Sequence, residues 1–127
     1  MLTLALVAFA HLHKEVLRKN IHAKYHNSVQ LDTNYTLLWT LTNKNQSVNF
    51  AIDCKTTGWV GVGFSLHGKM APSSDFFIAY IDSKGKIHAS DRYSFSRSEP
   101  QTDEELGGTN DFKLIRAREG FFFFFLF

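Results

Sequence analysis

Thiol is almost absent from this chain: Cys54 is the one cysteine among 127 residues. No internal disulfide can form, and a zinc site built on cysteines is excluded. Charge of one sign is lacking too. Lys and Arg total 14 against 12 Asp and Glu, leaving a net charge of +2 with His neutral. The bases are scattered and make no stripe along which a phosphate backbone could lie, which argues against nucleic acid as a partner. No apolar run approaches the roughly 20 residues that a membrane-spanning helix needs. Internal repeats and amphipathic helical period are missing as well. The length allows one domain and no second catalytic lobe.

What the chain does have is strand texture. Short apolar or alternating runs recur at Tyr35–Thr42, Ser47–Cys54, Trp59–Ser65, Asp75–Ile81, Lys86–Tyr93 and Phe112–Arg116. Turn chemistry separates them: Asn43-Lys44-Asn45-Gln46, Lys55-Thr56-Thr57-Gly58 and Asp82-Ser83-Lys84-Gly85. In the last of these Gly85 would supply a positive φ for a hairpin. Regular short strands with such turns predict an all-β fold, an antiparallel sandwich or barrel. Cys54 shares a strand face with Val48, Phe50 and Ile52 and is expected to pack in the core.

The flanking segments read differently. Residues 1–10 are apolar, end in Ala8-Phe9-Ala10 and read as a signal peptide, although without a basic n-region. Residues 11–29 form a polar lead-in. His22 and His26 are four apart there, a spacing that can bind metal on a helix, but no carboxylate accompanies them at ligand spacing and a solvated segment is the favoured reading. Residues 30–120 hold the sandwich. Within them Ser94–Asn110 is a long polar loop, and its Asp103-Glu104-Glu105 triplet reads as solvated surface. Residues 121–127 are six Phe and one Leu, a poor surface strand and an aggregation hazard. The sequence therefore predicts a sandwich short of its closing strands, with a tail of doubtful origin. Two glycosylation sequons, at Asn34 and Asn45, accord with secretion.

One stretch is more specific. Gly58-Trp59-Val60-Gly61-Val62-Gly63-Phe64-Ser65 is followed by Met70 with Ser74-Asp75, then Asp91-Arg92-Tyr93, then Asn110-Asp111-Phe112-Lys113-Leu114. Glycines two apart let a strand approach a neighbouring sheet or ligand closely. In this order and spacing the motifs resemble the DOMON domain, in particular the N-terminal DOMON of dopamine beta-hydroxylase-like copper monooxygenases. The resemblance spans about 27–120. It implies an immunoglobulin-like antiparallel β-sandwich, a secreted or membrane-attached setting, and a ligand such as haem or a sugar, or a place beside a redox domain. The copper hydroxylase domains of a full-length protein would be the partner, and copper would sit in those domains, because the His-rich copper motifs do not occur here.

Three candidate sites follow. Asp75, Asp91 and Asp111 fall at strand edges and could converge at one end of a sandwich. Hard cations such as Ca²⁺ take such oxygens, while the bland alternative is that these residues cap turns or pair with bases. The resemblance implies side-chain ligands from Asp75 and Asp111 and carbonyl ligands from Phe76 and Arg92. Haem b is the second candidate, with Met70 at the axial Met position. The family's late-strand His is lacking, and neither His67 nor His88 is placed to replace it. The third is a sugar or other small ligand stacked on Trp59, Tyr80 or Tyr93, although core packing is the favoured reading of these residues. Together these readings give a non-catalytic extracellular DOMON module that binds a metal ion beside a copper hydroxylase core. A haem-b electron carrier and a cofactor-free carbohydrate or protein interaction module stand as alternatives.

Overall fold

The computed structural model describes residues 15–42, 44, 46–69, 72–111, 113–118 and 122–126. Among these residues nine strands follow a short helix, α1, over residues 15–22. The strands are β1 (Asn27–Asp32), β2 (Tyr35–Thr42), β3 (Ser47–Cys54), β4 (Val60–Ser65), β5 (Ser74–Ile81), β6 (Ile87–Ser94), β7 (Gln101–Thr102), β8 (Lys113–Arg118) and β9 (Phe122–Leu126). Two antiparallel sheets result, ordered β1-β2-β3-β9-β8 and β4-β5-β6-β7. The chain is an all-β sandwich.

Alternation sets which face each residue takes. On β3 the inward residues Phe50 and Ile52 meet Val60, Phe77 and Ala79 from the second sheet, and Leu37, Trp39, Val62, Leu114 and Ala117 pack around them. Tyr35 ties the sheets together, its hydroxyl donating to the Gly61 carbonyl at 2.6 Å. Cys54 packs against this cluster, half-buried, as its position on the strand predicts. Burial, then the nearby charges of Asp53 and Asp32, push its thiol pKa up.

The outward residues of β3 face α1. Ile21 and Leu17, four apart, pack with Tyr25 on Leu38 and Ala51. One turn round the helix, Arg18 Nε donates to Asp53 Oδ2 at 2.5 Å, and His22 Nε2 lies 2.7 Å from the same oxygen. Asp53 is 2% exposed, so this pair of cationic or polar groups is what lets a carboxylate sit under the helix. No helix is expected here from the sequence, and the structure corrects that expectation with α1. Eight residues are too few for a helix to form on propensity alone or to show a clear period, so docking on the sheet makes it. His22 is thus engaged with Asp53, and His26 lies beyond the helix, its backbone N–H donating to Thr40 Oγ1.

The hairpin between β5 and β6 forms as its turn residues predict. Gly85 adopts φ 79°. Asp82 Oδ1 accepts the N–H groups of Lys84 and Lys86, each at 2.9 Å, and its Oδ2 lies 2.9 Å from His88 Nε2. The segment set apart as a tail supplies β9, hydrogen-bonded to β3 on one edge and β8 on the other. A short continuous apolar run is the pattern of a strand in the middle of a sheet, which is where this pairing puts it.

Candidate functional site

Three carboxylates converge at one end of the second sheet. Asp91 lies on β6 opposite Phe77, facing inward and 2% exposed. Asp75 lies opposite Tyr93, which puts it diagonal to Asp91 on the same face. Asp103 follows β7, where its backbone N–H donates to the Asp91 carbonyl at 3.1 Å. One ligand oxygen from each of the three lies within 4.8 Å of the other two. The turn carrying Asp103 is tightly built. Gly108 N–H returns to the Asp103 carbonyl at 2.8 Å, and Thr102 N–H donates to Glu105 Oε2 at 3.0 Å.

The charges at this cluster are poorly compensated. Asp111 N–H donates to Asp91 Oδ2 at 2.9 Å, but the buried Oδ1 atoms of Asp91 and Asp103 have no partner. Desolvation, followed by the neighbouring charges of Asp103, Asp75 and Asp111, pushes the Asp91 pKa up to about 6 against the pull of the Asp111 amide. Burial and the charges of Asp75, Glu104 and Asp111 raise Asp103 as well. A hard cation would remove this penalty, since Ca²⁺ takes six to eight oxygens at short range and accepts water to fill its shell. The all-oxygen donor set fits Ca²⁺ or a similar ion and does not suit zinc or copper(I).

Of the residues expected from sequence, the structure brings Asp75 and Asp91 together. Asp111 is exposed and stands at the rim, reaching Asp91 through its amide while Thr109 Oγ1 donates to its carboxylate at 3.2 Å. Phe76 and Arg92 face each other across β5 and β6, each with a further strand beside it, so their carbonyls lie in the plane of the ladder. Asp103, read as solvated surface, is drawn into the cluster, whereas Glu104 and Glu105 are exposed as expected. Nothing local in Asp103-Glu104-Glu105 distinguishes its first residue. Only the β6–β7 pairing does. Met70 and Asn45 lie outside the described residues, as do residues 1–10. His67 is exposed in the β4–β5 connection, and Asn34 is exposed in the β1–β2 turn.

The outer face of the same sheet carries a cleft of 970 Å³. Its floor is Gly61, Gly63, Phe76 and Ile78, with Trp59 and Tyr80 on one side and Arg92, Glu99 and Pro100 on the other. A Cβ at Gly63 would fall 2.5 Å from Phe76 Cε1, so glycine is what lets that ring lie across β4. Trp59 is 69% exposed and Tyr80 43% exposed, so neither is core. Tyr80 stacks on the His88 ring, with centroids 4.6 Å apart and planes 8° from parallel. Tyr93 is half-buried and packs edge-on against Phe95.

The family model of the DOMON domain matches residues 31–120. The chain belongs to the DOMON domain family. This DOMON domain is also 32% identical over 74 residues to MOXD1 homolog 2 of Drosophila melanogaster, an alignment covering 58% of this chain and 9% of that protein. The matched segment is thus a small part of the relative. No solved structure matches the chain. Among the described residues of the domain, no helix is long and apolar enough to cross a membrane.

Proposed function

We propose that this DOMON domain is a non-catalytic, extracellular accessory module that binds a hard divalent cation, Ca²⁺ first among them, beside the copper hydroxylase domains of a dopamine beta-hydroxylase-like monooxygenase. The observation that carries the reading is Asp91: a buried carboxylate with one oxygen unpartnered, facing Asp75 and Asp103. An unpaired buried charge is costly, and a cation is the ligand whose chemistry offsets it. The similarity to MOXD1 homolog 2 supports the monooxygenase setting.

Thermal melting in EGTA and in graded CaCl₂ tests the reading, with MgCl₂ as a parallel series. At 100 times Kd the gain is about 2.7 kcal/mol. Asp103→Asn should abolish it. A melting temperature indifferent to both cations up to millimolar concentration would end the proposal. A second reading, a cofactor-free carbohydrate-binding module, is favoured by the exposed Trp59 and Tyr80. Titration of monosaccharides and oligosaccharides against tryptophan fluorescence addresses it, with Trp59→Ala removing the signal if it holds.

A further inference from the structure

We propose that an ion held by Asp75, Asp91 and Asp103 also fixes one wall of the outer-face cleft, so that cation site and cleft are a single coupled unit. This rests on the cation reading above and concerns what the ion does for the far side of the sheet.

The coupling runs through two neighbouring residues of β6 and the two residues of β7. Adjacent strand residues point to opposite faces. Asp91 therefore faces the cluster while Arg92 faces the cleft. Arg92 holds the cleft wall directly: its Nη1 donates to the Pro100 carbonyl at 2.8 Å and lies 3.3 Å from Glu99 Oε1. Next in the chain comes β7, pairing Gln101 with Tyr93 and Thr102 with Arg92, and then Asp103, back at the cluster. Wall and ligand are thus three residues apart, joined by a strand paired on one edge only.

Beyond these contacts the segment is held by the Ser94 hydroxyl, which donates to the Ser96 carbonyl at 2.7 Å, and by Phe95 edge-on to Tyr93. Residues 95–99 are exposed, and the Glu99 side chain is 86% exposed, so its pairing with Arg92 is screened by water. By contrast the turn after β7 is stiff. Leu106 N–H reaches the Thr102 and Asp103 carbonyls, Gly107 N–H reaches Glu104, and Gly108 N–H reaches Asp103. Anything that anchors Asp103 anchors this turn as a block, and with it β7 and Pro100. A cation does so by joining Asp103 to Asp75 and Asp91, which belong to the two longest strands of the sheet. Coupling of this kind is reciprocal: a ligand that grips Glu99 and Pro100 raises cation affinity by the factor by which the cation raises its own.

Amide hydrogen exchange on the whole chain, read by peptides with EGTA or CaCl₂, tests this. Openings that expel the ion slow by about 100-fold at 100 times Kd. That slowing is expected over 95–102 as well as over 103–111, and Asp103→Asn should lose both. In Arg92→Ala the slowing should persist over 103–111 and be lost over 95–100. A wild-type chain that gains melting temperature and protection over 103–111 with Ca²⁺, yet exchanges unchanged over 95–102, would overturn the coupling and leave the cation site standing. No melting shift and no protection anywhere would overturn both.

Discussion

In EGTA, lowering the pH from 7.5 to 4.5 should reveal a stabilisation that belongs to Asp91. Its folded-state pKa is raised from 3.8 to about 6, with burial as the leading cause. The folded state therefore binds the proton more tightly than the unfolded chain does. Stability from this group is fully present below about pH 4 and is lost as pH rises through 6. A shift of about two units corresponds to ~3 kcal/mol at about 1.4 kcal/mol per unit. The side chain is buried, so little discount for solvent applies. With an unfolding entropy of about 2.1 cal/mol/K per residue, that amounts to ~10 °C in melting temperature for a chain of this size. Asp103 adds in the same direction. Asp82 and Glu105, whose pKa values are lowered by hydrogen bonds first from His88 and from the Thr102 amide, act in the opposite sense. The assay is therefore a difference: calorimetric melting of wild type and Asp91→Asn across the pH range. The variant should melt higher at pH 7.5 and converge with wild type near pH 4.5. Saturating Ca²⁺ at pH 7.5 should reverse the order. Parallel curves, or a variant less stable at pH 7.5 in EGTA, would show that Asp91 is not an uncompensated buried charge and would refute the reasoning.

Ile21→Ala should cost about 2–4 kcal/mol in urea unfolding, the usual range for a buried aliphatic truncation, and a loss under 0.5 (~0.5 kcal/mol being the surface-substitution range) would mean that α1 does not dock. Tyr35→Phe removes the hydroxyl that caps the Gly61 carbonyl and should cost about 1 kcal/mol by the same measurement. Gly63→Ala forces the Phe76 ring aside and should cost about 1–3 kcal/mol, a penalty that shrinks when Phe76→Ala is present too. Additive costs in that double-variant cycle would contradict the contact.

The strands that sequence made legible are those with alternation and marked turns. β2 and β3 match the expected Tyr35–Thr42 and Ser47–Cys54 to the residue, and β4, β5, β6 and β8 lie within two residues of expectation at each end. β1 escaped notice because an edge strand exposed on both faces needs no apolar period, as Asn27–Asp32 shows. β7 is two residues inside a polar loop and owes its existence to pairing with β6. The same dependence hid Asp103. Asp75 and Asp91 could be picked out because strand position is local information, whereas the third carboxylate arrives through a pairing that local sequence does not encode. Trp59 and Tyr80 point outward because the inward positions of β4 and β5 are filled by Val60, Val62, Phe77 and Ala79.

The place of β9 has a kinetic consequence. Hairpins such as β2–β3 and β5–β6 close over short loops, but Ile52 meets Phe123 about seventy positions later. Such high contact order slows folding towards the millisecond-to-second range of all-β proteins. Until β3 captures it, a segment of consecutive phenylalanines has β8 alone as strand partner and one edge open, while the open edge of β3 is a template for any other copy. Folding at high concentration thus becomes a race between intramolecular capture of β9 and cross-pairing between chains, and a chaperone that shields that segment would decide the yield.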